Sequence, residues 1–179
     1  MGSRMGFEEN VEGMEDEAST VSEVVRPPTD DWTAAMLAHA SALLTLVLGV
    51  AGGVGALVGL AIPLTMYFGY RRKSRFVAFH ALQSFVYQAI GVLLYLILVA
   101  TSVACVTLAW TVSGLLSAVL IGVLLIPFAL SLTLLMVLVL VGIPFAWLGY
   151  GLYAGYQVYQ GRNFHYWAIG EWLEREAKL

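Results

Sequence analysis

Charge is what this sequence has least of. Asp, Glu, Lys and Arg make up 12% of its 179 residues, about half the share found in a soluble domain. From Phe76 to Gly161 there is no such residue at all, and His80 is the sole group there that titrates near neutral pH. Cysteine is nearly absent: Cys105 stands alone, which excludes an internal disulfide framework. Polar and apolar residues do not alternate at period two, which excludes a membrane β-barrel. The first residues have no basic stretch followed by an apolar core, so no cleavable signal peptide is expected. Catalytic signatures are missing as well. There is no Ser-His-Asp set in recognisable context, no phosphate-cradling Gly-Lys loop and no zinc motif. The apolar runs contain no carboxylate, so paired acid–base chemistry inside a membrane has no groups to use. No catalytic residue, cofactor, metal ligand or nucleic-acid partner is expected.

What remains is apolar surface in excess. The composition is 60% hydrophobic, with a mean hydropathy of +0.82. A soluble chain this short leaves too much of itself near the surface to hide such runs. The expectation is an all-α, polytopic transmembrane bundle of about four spans with short interfacial helices. Lipid offers no hydrogen bonds to bare backbone, so runs such as 93–99 and 132–140 must be helical there. At about 20 apolar residues per pass, the ionless stretch is long enough for three passes or for two unusually long ones.

Residues 1–31 carry nine acids against Arg4 and Arg26 and read as a disordered acidic tail. Residues 32–161 form the transmembrane domain and 162–179 an interfacial C-terminal segment. Thr29, Asp30 or Asp31 is placed to cap the first helix. The block from Trp32 to Tyr70, an uncleaved signal anchor, contains Gly49-x-x-x-Gly53 and Gly55-x-x-x-Gly59, the spacing of close helix approach in lipid. It reads either as one helix with small-residue notches or as two short helices broken at Gly52-Gly53, with Pro63 as a further kink. After it come passes over 76–110, over 111–140 following a turn at Thr111 to Gly114, and over 145–160 following a break at 141–144. Gly161 reads as the final stop. Asn163 to Trp167 are expected to return along the headgroups, and 170–179 to form an interfacial helix. Four passes put both tails on one side and the basic turn on the other. A re-entrant first block with two long passes puts every charged segment on the cytoplasmic side.

Two groups of polar residues stand out. His80, Gln83, Ser84, Tyr87 and Gln88 recur at helical spacing and form one stripe, opposite Phe76, Val77, Phe85 and Val86. Such a stripe faces the bundle interior, where His39 and Ser41 can partner it. It reads as a hydrogen-bonded packing seam, with a water-lined path or a His39–His80 metal site as alternatives. Arg71, Arg72, Lys73 and Arg75 form the densest basic cluster, a topology determinant or a contact for lipid headgroups.

The runs Met36 to Ser41, Ile62-Pro63-Leu64 and Arg71 to Gln83, with its Phe79-His80-Ala81, resemble the Tic-twenty-like membrane family, in particular its bacterial members of unknown function. The closing run Tyr156 to Tyr166 is similar to that family's final motif, although Tyr166-Trp167 stands where Tyr-Pro is usual. The resemblance covers about Trp32 to Leu173. It implies a small bundle of about four spans, in a family whose plant members serve protein import into chloroplasts. The functional expectation is a non-enzymatic integral protein of a bacterial inner (cell) membrane. It would act as a packing or accessory subunit with a homo- or hetero-oligomeric partner. The alternative is a component of a channel or protein-translocation assembly.

Overall fold

The computed structural model describes residues 27–167 and 169–177, all of whose regular structure is helical. The first 26 residues of the acidic segment lie outside them. The elements are α1 (Thr29–Ala51), α2 (Gly55–Tyr70), α3 (Arg75–Leu116), a single 3₁₀ turn (Ser117–Val119), α4 (Ile121–Tyr159) and α5 (Ile169–Ala177). They fold as two antiparallel hairpins, α1–α2 and α3–α4, with α1 packed against all three of the other long elements.

The first block is therefore two helices and not one pass. The chain reverses at Gly52 to Val54, where Gly55 N donates to Gly52 O at 2.6 Å. The notch spacing serves the return. Gly59 faces the backbone of Thr45 so closely that a Cβ would lie 2.6 Å from its amide nitrogen. Gly53 instead sits in the turn with nothing around it. At the entrance to α1, Pro28 occupies the cap position without a side-chain cap, and Asp30 and Asp31 lie in the first turn. Their charge offsets the helix dipole, so the expected side-chain cap is replaced by an electrostatic one.

The ionless stretch is two long helices and not three passes. Thr111 to Gly114 stay helical, and the reversal comes at Ser117 to Leu120. Pro127 and Pro144 both lie inside α4, so the expected break at 141–144 does not occur. A proline interrupts one intrahelical bond, whereas a break in lipid exposes several backbone groups, so continuity is the cheaper solution. The helix ends as the sequence suggests. Gly161 has φ +77°, Gly161 N donates to Val158 O at 2.9 Å and Arg162 N to Gln157 O at 3.1 Å. That is a Schellman ending, which needs the left-handed residue glycine supplies.

The start of α1 and the chain just after α4 both lie at the basic end of α3. Ser74 Oγ donates to Asp31 Oδ2 at 2.6 Å, and His80 Nε2 pairs with Asn163 Oδ1 at 3.2 Å. The reading that set the basic turn opposite the tails is corrected by these contacts. The physical reason is the reversal at Gly52 to Val54, which brings the chain back before Arg71. At 1.5 Å per residue, α1 is about 35 Å long and α3 about 63 Å. The short α1–α2 hairpin therefore covers only the basic-end half of α3–α4. Beyond it, Leu115, Leu120 and Leu124 are each at least 74% exposed.

Candidate functional site

The polar stripe of α3 lies where α1, α3 and α4 meet. A residue every three or four positions falls on one helix face, and this face is turned inward. His80, Gln83, Ser84, Tyr87 and Gln88 are all buried, as are His39, Ser41 and Thr45 on α1. Small residues of α4 make room for them: Gly155 approaches Met36 O and His39 Cβ, while Gly151 approaches Ala42 and Tyr87.

The seam has two parts. Deeper in the bundle, Ser84 Oγ donates to Ala38 O at 2.6 Å. Gln88 Nε2 donates to Ser41 Oγ and Ser84 Oγ, both at 2.9 Å. Thr45 Oγ1 donates to Gln88 Oε1 at 2.6 Å. Tyr87 Oη donates to Trp147 O at 2.7 Å, tying α3 to α4. Nearer the basic end, the two histidines expected to partner each other do meet. His39 and His80 are linked through Nε2 and Nδ1 at 3.2 Å. His39 Nδ1 pairs with Tyr166 Oη at 3.2 Å.

For neutral rings, one set of tautomers satisfies all three contacts: His80 Nε2 donates to Asn163 Oδ1, His39 Nε2 donates to His80 Nδ1, and the Tyr166 hydroxyl donates to His39 Nδ1. Gln83 extends the attachment. In the amide orientation that satisfies both neighbours, its nitrogen donates to Phe164 O at 3.3 Å and its oxygen accepts from Tyr166 N at 3.1 Å.

The 163–167 segment folds back against the helices. It tucks into the bundle end, and Tyr166 is only 2% exposed. Tyr166 stacks on Tyr87 with centroids 4.1 Å apart and planes 4° from parallel. Burial, and next the neighbouring Tyr87 and Tyr150 phenols, hold the Tyr166 hydroxyl protonated well above the ordinary tyrosine range. Asn163 and Tyr166 are the seam residues that periodicity could not find, because they lie in irregular chain. Their signal was local: an Asn-aromatic-His-aromatic run directly after a helix stop.

Every buried side-chain nitrogen and oxygen among the described residues has a partner. No cluster of three or more His, Cys, Asp or Glu suited to a metal ion occurs among them either. The basic residues lie apart from the seam. Arg71, Arg72, Lys73 and Arg75 are all exposed, and Arg71 lies over the Phe68 ring at 5.3 Å. Ser74 closes their turn by capping α3, its Oγ accepting from Val77 N at 3.3 Å.

No curated protein and no solved structure matches this chain. A family model does, across residues 30–173, from the first turn of α1 into α5. It overturns the Tic-twenty-like resemblance. Among the residues behind that resemblance are the Ser74 cap, the His80–Gln83 seam and the segment docked on it, which hold this bundle together. With the match spanning the whole helical domain, the chain belongs to the MamF/MmsF magnetosome magnetite crystal formation protein family.

Proposed function

We propose that this protein is a non-enzymatic, multi-pass component of a magnetosome membrane that supports magnetite crystal formation as a packing or accessory subunit of a membrane complex. The observation that carries this reading is the family match over the entire bundle, 30–173. The seam agrees with it. Among the described residues the buried polar side-chain atoms all have hydrogen-bond partners, as suits a packing seam. The outer faces of both hairpins are apolar and exposed, as suits a protein surrounded by lipid and neighbouring helices.

The test is deletion of the gene in a magnetite-forming host, followed by complementation. Electron microscopy is expected to show altered crystal size, shape or number, restored by the wild-type chain. Unchanged crystals would remove the role. Mild-detergent extraction of the tagged chain from the same membranes tests the subunit reading: a solitary monomer would count against it.

A further inference from the structure

The root of the acidic segment is held beside the basic turn. Trp32 Nε1 donates to the Pro27 carbonyl at 3.1 Å, and the Trp32 ring packs on Phe76 with centroids 4.4 Å apart. Asp31 Oδ2 accepts from Ser74 Oγ at 2.6 Å. Three contacts thus fix where residues 1–26 leave the fold, and the place is the turn that presents Arg71, Arg72 and Lys73 to solvent. The segment carries Glu8, Glu9, Glu12, Glu15, Asp16, Glu17 and Glu23 against Arg4 and Arg26. Its charge is opposite to that of the turn.

Reach is sufficient. Glu23 lies four residues before Pro27, so the chain extends at most about 14 Å between them. The Glu15 to Glu17 group is ten to twelve residues away, so the chain extends at most about 42 Å between them. A tethered segment on this scale sees its target at an effective concentration in the millimolar range. We propose that the acidic N-terminal segment, residues 8–23, docks on the basic turn Arg71-Arg72-Lys73 of its own chain. Docking there masks the turn, and it weakens with salt because exposed charges are screened over about 8 Å at physiological ionic strength.

The test uses the full chain with Cys105→Ser in nanodiscs of neutral phosphatidylcholine. Spin labels are placed at Ser19→Cys and Gly69→Cys, the latter in open space beside the turn. Electron–electron double resonance is expected to give a short, narrow distance at low salt. Raising the salt to 0.5 M should at least halve the short-distance fraction. So should the tail reversal E12K/E15K/D16K/E17K, which leaves the turn and its topological signal untouched. Adding R71E/R72E/K73E to the tail reversal should restore the short distance. A broad distribution at low salt, or a short distance indifferent to the tail reversal, overturns the proposal. If the distance is short in neutral discs but lost on adding phosphatidylserine, lipid headgroups compete for the same residues, as a charge-based contact requires.

Discussion

The sharpest check on the fold is the Gly59→Ala substitution. An ideal Cβ there falls 2.6 Å from the Thr45 amide nitrogen and nearer still to Thr45 Cα and Oγ1. Backbone atoms cannot swing aside, so α2 must move off α1. Overpacking of this kind costs about 1–3 kcal/mol. The Thr45–Gln88 hydrogen bond is also at stake, and interhelical bonds in membranes average about 0.6 kcal/mol. Against this, alanine is favoured over glycine in a helix by about 1 kcal/mol. The sum is a net loss of about 0.5–2.5 kcal/mol from the three terms together. Gly149 in α4 supplies the control, because nothing lies within 4 Å of a Cβ built there. Gly149→Ala keeps only the propensity gain, so it should be neutral or stabilising by up to about 1 kcal/mol. The assay is reversible unfolding in mixed micelles with rising SDS fraction, followed by circular dichroism and tryptophan fluorescence. If the two variants fall within about 0.5 kcal/mol of each other, α2 does not approach α1 through Gly59.

Tyr166→Phe removes the hydroxyl that donates to His39 Nδ1 and leaves a buried acceptor unpaired, a loss of about 1–3 kcal/mol in the same unfolding assay. The same variant has a pH signature. The folded state holds the Tyr166 proton to a higher pH than the ordinary tyrosine value, so above about pH 10 the unfolded chain loses its proton first. Stability should then fall as pH rises, with Tyr166 contributing up to about 1.4 kcal/mol per pH unit, and the fall should be shallower by that amount in Tyr166→Phe. Leu120 has φ +62°, a left-handed conformation costing a non-glycine residue about 1–2 kcal/mol; Leu120→Gly is expected to recover about 1 kcal/mol of it in thermal unfolding. In a Cys105→Ser background, thiol labelling in sealed vesicles should find Lys73→Cys and Arg162→Cys on the same side. Labelling from opposite sides would break the two-hairpin arrangement.

Much of this was legible because lipid leaves few choices. A stretch with no ion and no period-two pattern had to be helical, and the stripe from His80 to Gln88 had to face inward. The Gly161 stop was readable too, since a left-handed ending calls for glycine. What could not be read was where helices turn. Thr111 to Gly114 and Val141 to Pro144 carry turn-forming residues by the habits of water-soluble chains. In lipid the backbone keeps its hydrogen bonds, so α3 and α4 run through both. The reversal instead uses Ser117 to Leu120, where the sequence has no glycine. The partners Asn163 and Tyr166 were hidden for another reason: irregular chain has no period, and only the fold brings it back to His39 and His80.

The same geometry divides the molecule into two halves with different sources of order. Near the basic turn, three helices and the 163–167 segment share a hydrogen-bond network in which every buried side-chain nitrogen and oxygen of the described residues has a partner. Toward the other end only α3 and α4 remain, joined by contacts such as Trp110 Nε1 to Thr133 Oγ1 at 3.0 Å and Tyr95 Oη to Leu140 O at 3.1 Å. The hydrocarbon core is about 30 Å thick. α1, at about 35 Å, matches it, whereas α3, at about 63 Å, is twice as long. Lipid alone would accommodate α3 only at a tilt of about 60°, beyond the 0–40° at which membrane helices lie. The seam therefore orders the basic end of the bundle, while beyond the α1–α2 hairpin α3 and α4 leave apolar side chains such as Leu115, Leu120 and Leu124 exposed.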